Sequence, residues 1–325
     1  MSSPPRPAPP APRVSVVMPA YNAARYLDAA MRSALASDLT ELELVLIDDG
    51  STDGSLEIAR GVADPRVVVI TQRASGGPSR PRNVGIAHSR APYVALLDAD
   101  DLLKPDKLSS AVAALENHPQ AVLAFADYER IDEEGRLLEH ATLSGYPVFQ
   151  SLKKHPAGDE WLLLAREEFA RGLLYENFIG TSGVILRRSA LERVGTPFDE
   201  ALTYSEDRDL WFRLAHTGEA LYRERVGHAY RVSPGSLSLR PGTRQAQSRI
   251  EVLRRERTRW DERGARRQID RLIAENWAAI AYEHRRTGRR FSSVTTFLRA
   301  ALTSPERRWM RAALGSLAPR SRSVS

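Results

Sequence analysis

Three carboxylates stand within four residues in the stretch YVALLDADDLLKPDKL, which begins at Tyr93: Asp98, Asp100 and Asp101. Like charges held that close disfavour ionisation, so such a group belongs either in open solvent or around a cation. Calcium is a poor match. A calcium loop started at Asp98 would put Leu103 where the turn needs glycine and Ser109 where a bidentate glutamate closes the shell. Two or three carboxylates suit magnesium or manganese, which keep several waters and share a substrate's phosphates. A second acidic run, DDGSTDGS (48–55), nearly fits a calcium loop through Asp49, Ser51, Asp53 and Gly54, but Arg60 occupies the closing position. Its plain reading is a capped helix start. The third, SEDRDLWFRLAHTG, sets Glu206 and Asp207 where a helix dipole favours acids, with Leu210, Trp211 and Leu214 as the apolar stripe.

Other chemistries lack their residues. The chain has no cysteine, and its seven histidines show no metal-ligand spacing. SGGPSR has neither the glycine spacing of a dinucleotide loop nor that of a P-loop.

Elements to position the acidic runs follow from the pattern. VSVVMPAY (14–21), LELVLIDD, RVVVI and YVALLD read as buried strands. Between them, AARYLDAAMRSALA, the segment after GSTDGS, and PSRPRNVGIAHS read as helices. Such alternation predicts an α/β fold with a mostly parallel sheet covered by helices on both faces. Ligands of these sheets bind outside the carboxyl ends of the strands, where Asp48–Asp49 and Asp98–Asp101 fall. Beyond Asp127 the expectation is a strand in AVLAFADYERID, a long excursion over 133–160, and a helix in WLLLAREEFARGLL. A strand in SGVILR and a helix from Glu206 complete it, and no long internal repeat is visible.

Composition divides the chain. Its 325 residues carry a net charge of +6, yet residues 244–325 hold 20 arginines against 8 acids, leaving residues 1–243 net acidic. The proline-rich start, MSSPPRPAPPAPR, predicts an extended leader over 1–13, followed by a catalytic domain over 14–243 and a basic helical region over 244–325. The leader has no apolar core for a secretory signal, and no run suggests a spanning helix. A cytoplasmic enzyme is expected, with peripheral contact at the membrane face as a further option.

Five stretches in order resemble the family 2 glycosyltransferases, which have a GT-A-type (Rossmann-like) fold: VSVVMPAYNAARYLDAAMRSAL, LELVLIDDGSTDGS, SGGPSRPRNVGIAHSRAPYVALLDADD, TSGVILRRSALERVGTPFDEAL and SEDRDLWFRLAHTG. The resemblance implies that Pro19, Ala20 and Tyr21 line a base pocket and that Asp49 accepts from a uracil-type ring nitrogen. Arg82 would lie near the nucleotide, Asp98 would face the ribose, and Asp100 would hold Mg2+ or Mn2+, with Asp101 acting behind it. Asp207 would be the general base, with Glu206 or Trp211 beside the acceptor. The chain departs from many relatives at Ser233, where they carry a metal- or phosphate-binding histidine after Tyr-Arg, and at Pro81 in place of alanine. His228 is near but out of register.

The expected activity is inverting, metal-dependent transfer from a UDP- or dTDP-sugar donor to a hydroxyl of a glycan or lipid-linked acceptor, in cell-surface glycan or polysaccharide synthesis. The rival from another class is a catalytically silent nucleotide-sugar or glycan-binding module of the same fold. The basic end suggests three helices, with stripes Ile273–Trp277–Ile280–His284, Val294–Phe297–Leu298–Ala301–Leu302 and Trp309–Met310–Ala313–Leu314–Leu317. Helices packed into a hairpin with solvated arginines are one reading and an amphipathic surface for anionic lipid another. Nucleic acid is not expected, because no recognised motif accompanies the arginines.

Overall fold

In a computed structural model the described residues are 11–233 and 242–317, so most of the proline-rich leader lies outside them. The chain divides into two compact units, Met1–Glu200 with Asp207–Pro234, and Ala201–Glu206 with Gly235–Ser325.

The first unit is built on one sheet. Strands β1 (Val14–Ala20), β2 (Leu42–Asp48), β3 (Val67–Thr71) and β4 (Tyr93–Leu96) are parallel and lie in the order β3-β2-β1-β4. Helices α1 (Leu27–Leu35), α2 (Ser55–Gly61) and α3 (Ser79–His88) connect them. Alternate residues of β1 serve opposite faces. Val14, Val16 and Met18 join Leu27, Ala30, Met31 and Ala34 of α1 in the core, while Val17 with Ile47 lies against α3 at Gly85. A Cβ on Gly85 would come within 2.4 Å of Val17, so that helix seats closely only because the residue is glycine. Pro81 falls in the first turn of α3, where the missing N–H costs no helical bond.

After β4 come the short β5 (Leu102–Leu103), α4 (Lys107–Asn117) and the long β6 (Ala121–Ile131). The excursion over 133–160 contains β7 (Leu137–Glu139), α5 (Pro147–Ser151) and β8 (His155–Pro156). The helix expected over WLLLAREEFARGLL is in fact two elements, β9 (Trp161–Leu164) and α6 (Arg166–Tyr175). Tertiary pairing decides this: β9 is sandwiched antiparallel between β8 and β11 (Glu219–Arg231), and its four apolar residues suit either structure. Strand β10 (Ile185–Arg187) enters antiparallel between β4 and β6, followed by α7 (Arg188–Val194) and α8 (Glu206–Ala215). The result is a mixed, largely parallel sheet with β11 parallel to β6 at its far side.

The second unit is helical, with α9 (Thr243–Arg257), α10 (Arg263–Arg286), α11 (Arg290–Thr303) and α12 (Arg307–Leu317), four helices among the described residues where three were expected. Its core joins Ala274, Ala278 and Ala281 of α10 to Phe297 and Ala300 of α11 and to Trp309 and Ala313 of α12. Small residues let α10 and α11 pack closely: Ala281 and Ser293 face each other, Ser293 Oγ donating to the Ala281 carbonyl at 2.9 Å. Two expected stripes are corrected. Leu298 and Leu302 point outward while Phe297 and Ala300 are buried, and Met310, Leu314 and Leu317 are exposed while Trp309 and Ala313 are buried.

Candidate active site

The carboxyl ends of β1, β2 and β4 lie side by side, so their loops meet on one edge of the sheet. The loop after β1 is sewn to the loop after β2. Asn22 N–H donates to Ser51 Oγ (3.0 Å), Ala23 N–H to Ser55 Oγ (2.9 Å) and Ala24 N–H to Asp53 Oδ2 (3.0 Å). Thr52 N–H returns to Asn22 Oδ1 at 2.9 Å. The GSTDGS run therefore works as a clamp between two loops, and Asp53 Oδ1 also accepts from Ser55 N–H (3.1 Å) at the first residue of α2, as a capped helix start requires. That clamp fixes Pro19 and Ala20 at the end of β1 and leaves Tyr21 exposed at its rim.

Asp49 is buried behind that rim. Its carboxylate accepts from Gln72 Nε2 (2.6 Å), from Ser75 N–H (3.1 Å) and from Ser75 Oγ (2.8 Å). Gly50 makes the approach possible, since φ is +78° and a Cβ there would lie 2.8 Å from the Ala74 nitrogen. The expected contact of Asp49 with a base is thus modified: both oxygens brace the 72–75 segment, and a base reaches Asp49 only where Ser75 yields.

Arg82 is almost wholly buried, its Nη2 2.7 Å from Asp98 Oδ1 and its guanidinium 5.4 Å from the centre of the Phe198 ring. A buried arginine needs such partners. Arg82 and Asp98 thus occupy one spot. Asp100 and Asp101 complete the turn. Burial first, and the Asp98 charge second, raise Asp100 to about 6. Burial with both neighbouring carboxylates raises Asp101 well above the ordinary range. One Asp101 oxygen accepts from Arg231 N–H at 2.8 Å, and the other is buried with no hydrogen-bond partner. Crowded hard oxygens, carboxyls that hold their protons unusually tightly and an orphaned carboxylate oxygen are what a divalent cation relieves, so the donor set fits magnesium or manganese. Among the described residues no three side chains of metal-ligand type converge on one point. The fit is therefore to a cation that takes much of its shell from a ligand and water.

Sequence reasoning missed the residues that hold this turn. Arg231, at the end of β11, donates from Nε to the Asp100 carbonyl (2.9 Å) and from Nη1 to the carbonyls of Asp132 (2.9 Å) and Glu133 (3.1 Å), and packs over Tyr26. Ser182 Oγ accepts from Asp98 N–H at 3.0 Å. The antiparallel entry of β10 explains Ser182: a strand running against β4 starts where β4 ends.

The same loop reaches the other acidic motif. Asn177 Nδ2 donates to Asp207 Oδ2 at 2.9 Å, and Arg208 N–H donates to Asp207 Oδ1 at 2.6 Å. Both oxygens of Asp207 are thus oriented while the side chain stays half-buried. Asn177 and Ser182 are five residues apart, at most roughly 18 Å of extended chain. One short loop therefore brings Asp207 within reach of the Asp98–Asp101 turn, although more than a hundred residues separate them in sequence. Glu206 opens α8 and is nearly buried. Trp211 is corrected from its expected place beside an acceptor: it is fully buried, and its indole N–H donates to the Ile179 carbonyl at 3.1 Å. Its role is to pack α8 under the loop.

His228 does not stand in for the histidine replaced by Ser233. It lies inside β11, stacked 5.1 Å from Tyr128, and burial beside Lys107 and Lys104 pushes it down to about 3. Its ring presses on Gly183, where φ is +75° and a Cβ would sit 2.6 Å from Nδ1.

A mixed, largely parallel sheet with acidic turns at the carboxyl ends of its parallel strands is the GT-A type of fold. Residues 15–195 match the family model Glycosyl transferase family 2, and the chain belongs to that family. It spans less than two thirds of the length of the first curated relatives it matches. It is 33 % identical over 231 residues to the succinoglycan biosynthesis protein ExoO of Rhizobium meliloti, covering 70 % of this chain and 63 % of that one. It is 26 % identical over 209 residues to a chondroitin synthase of Escherichia coli, spanning only 27 % of that longer protein. Among solved structures, TarS of S. aureus in complex with UDP-GlcNAc superposes with a TM-score of 0.64 at 21 % identity, covering 91 % of this chain and 82 % of that one. The mannosyltransferase PcManGT from Pyrobaculum calidifontis, in complex with GDP-Man and Mn2+, superposes with a TM-score of 0.60 at 18 % identity, covering 96 % and 81 %. At those identities the likeness is one of fold.

Proposed function

We propose that the chain transfers a sugar from a UDP- or dTDP-linked donor to a hydroxyl of a glycan or lipid-linked acceptor, with inversion, in the synthesis of a cell-surface glycan. The observation that carries this reading is the loop that ties Asp207, through Asn177, to Asp98, through Ser182. Relatives named for succinoglycan and chondroitin synthesis, and neighbours holding UDP-GlcNAc or GDP-Man, support it.

In this reading Pro19, Ala20 and Tyr21 receive the base, and Asp49 joins them once Ser75 gives way. Arg82 and Asp98 face the ribose and diphosphate. Asp100 holds the divalent cation, with Asp101 and Arg231 fixing the turn behind it. When bound, the cation neutralises the departing diphosphate as a Lewis acid. Asp207 takes the proton of the acceptor hydroxyl as its oxygen bonds the anomeric carbon. The bond from that carbon to the diphosphate oxygen breaks, and the nucleoside diphosphate leaves with the electron pair. One base and no second carboxylate nucleophile give a single displacement. Asn177 and the Arg208 N–H orient the two oxygens of Asp207. Glu206 stands at the acceptor side of α8.

Calorimetric titration of UDP, dTDP and GDP, with and without manganese, on wild type and Asp100→Ala tests the donor site. Cation-dependent binding of UDP or dTDP, lost in the variant, is expected. Binding indifferent to both manganese and the substitution would refute the cation assignment.

A further inference from the structure

The second unit leaves apolar side chains on its outside. On α11, Phe291 and Leu302 are 81 % and 86 % exposed, and with Leu298 they form one stripe at i, i+7 and i+11, opposite buried Ser293, Phe297 and Ala300. On α12, Met310, Leu314 and Leu317 form a second stripe at i, i+4 and i+7, with Leu314 66 % and Leu317 61 % exposed. Each residue turns a helix by about 100°, so Arg307 and Arg311 fall directly beside that second stripe. Single exposed apolar residues are ordinary, but two stripes on consecutive helices mark a contact surface. Neighbouring Arg308 is paired, to Glu275 (3.1 Å) and Glu306 (2.8 Å). Arg290, Arg307 and Arg311 are exposed and have no ion-pair partner among the described residues.

We infer that the outer face of α11 and α12 docks on an anionic lipid bilayer, with α12 lying in the plane of the headgroups. Charge decides the occupant. A second copy of this face would bring unpaired arginines against unpaired arginines, whereas a bilayer rich in acidic headgroups complements them. The stretch from residue 244 onward, with 20 arginines against 8 acids, supplies the long-range attraction. Helix α12 has 11 residues with an apolar flank and an arginine flank, the form of a helix that lies on a membrane. No helix of the described residues is long and apolar enough to cross one. This inference stands apart from the transferase reading, since none of these residues belongs to the site.

Sedimentation of the full chain with vesicles of equal parts phosphatidylglycerol and phosphatidylcholine, against vesicles of phosphatidylcholine alone, tests it. Binding to the acidic vesicles only is expected, weakening with salt. Arg307→Gln with Arg311→Gln should lower the partition coefficient about 30-fold. Leu314→Ser with Leu317→Ser should abolish binding with an unchanged far-UV spectrum, because both side chains are outside the core. No binding to either vesicle, or equal binding to both, overturns the inference. So does a wild-type dimer by light scattering that becomes monomeric in the Leu314→Ser, Leu317→Ser variant, which would show a second copy on this face.

Discussion

Lys107 gives the sharpest test of the physical reasoning. It opens α4 beneath β11, is completely buried, and its Nζ has no hydrogen-bond partner; the nearest aromatic, Trp161, lies 5.5 Å from it. Burial first, and the Arg223 charge second, lower the ammonium from 10.5 to about 7. The folded protein thus prefers the neutral amine, while the unfolded chain keeps its proton up to its ordinary value. Between those two values the unfolded state binds more protons, so folding stability rises with pH across that window. Below about pH 7 the penalty is complete. At about 1.4 kcal/mol per unit the gap corresponds to an upper bound of roughly 5 kcal/mol. Cation–π attraction to Trp161 contributes at most about 2 kcal/mol and is the smaller effect.

Methionine has nearly the same length and no charge. Lys107→Met should therefore stabilise the fold at neutral pH by about 1–4 kcal/mol, the range found when buried ionic groups give way to apolar residues of similar volume. For a domain of this size that is a rise in Tm on the order of 2–4 °C per kcal/mol. Thermal unfolding of both proteins, followed by intrinsic fluorescence from pH 6 to pH 10, measures it. The advantage of Lys107→Met should be largest at the acid end and shrink as pH rises through 7 toward 10.5. A variant less stable than wild type at pH 7, or an advantage that does not change with pH, would refute the burial argument.

Three further outcomes follow from the site. Asp207→Asn keeps the shape of the carboxylate and its neighbours but removes the base, so kcat should fall roughly 100- to 10,000-fold while the Kd for nucleotide stays within about twofold. Gly183→Ala forces a left-handed residue and a Cβ into the His228 ring, and should lose about 2 kcal/mol or more in chemical denaturation. Because Asp100 must shed a proton raised to about 6, manganese-dependent nucleotide binding should be flat above that pH and weaken about tenfold per unit below it. A pH-independent Kd measured from pH 5 to pH 8 would move the cation away from Asp100.

The placing of Asp48–Asp49 and Asp98–Asp101 at strand ends was legible because β2 and β4 are strongly patterned and joined to their neighbours by short helices. Arg82 was legible as a residue of α3 for the same reason. The helix expected across Trp161–Leu174 failed because four consecutive apolar residues carry no period, and only pairing with β8 and β11 makes β9 a strand. Trp211 is buried, as its place in the apolar stripe with Leu210 and Leu214 predicted, whereas the acceptor side was implied only by the family resemblance. Asn177, Ser182 and Arg231 were not found, since a loop residue's partner in another element leaves no spacing to read. The C-terminal stripes failed differently: each mixed residues of the packed face with residues of the outer face, as a wheel cannot say which neighbour a helix meets.

The segment from Asn177 to Ser182 is fastened at both ends, to Asp207 and to the Asp98 turn. Its length is consequently a ruler. In the proposed mechanism it sets how far the proton acceptor stands from the carbon under attack. One glycine inserted between Ile179 and Gly180 would leave both elements folded and the nucleotide site intact, yet misplace the base by up to about 3.5 Å. Turnover in such a variant should collapse while nucleotide affinity holds, the mark of an enzyme whose two half-sites are spaced by a single span of backbone.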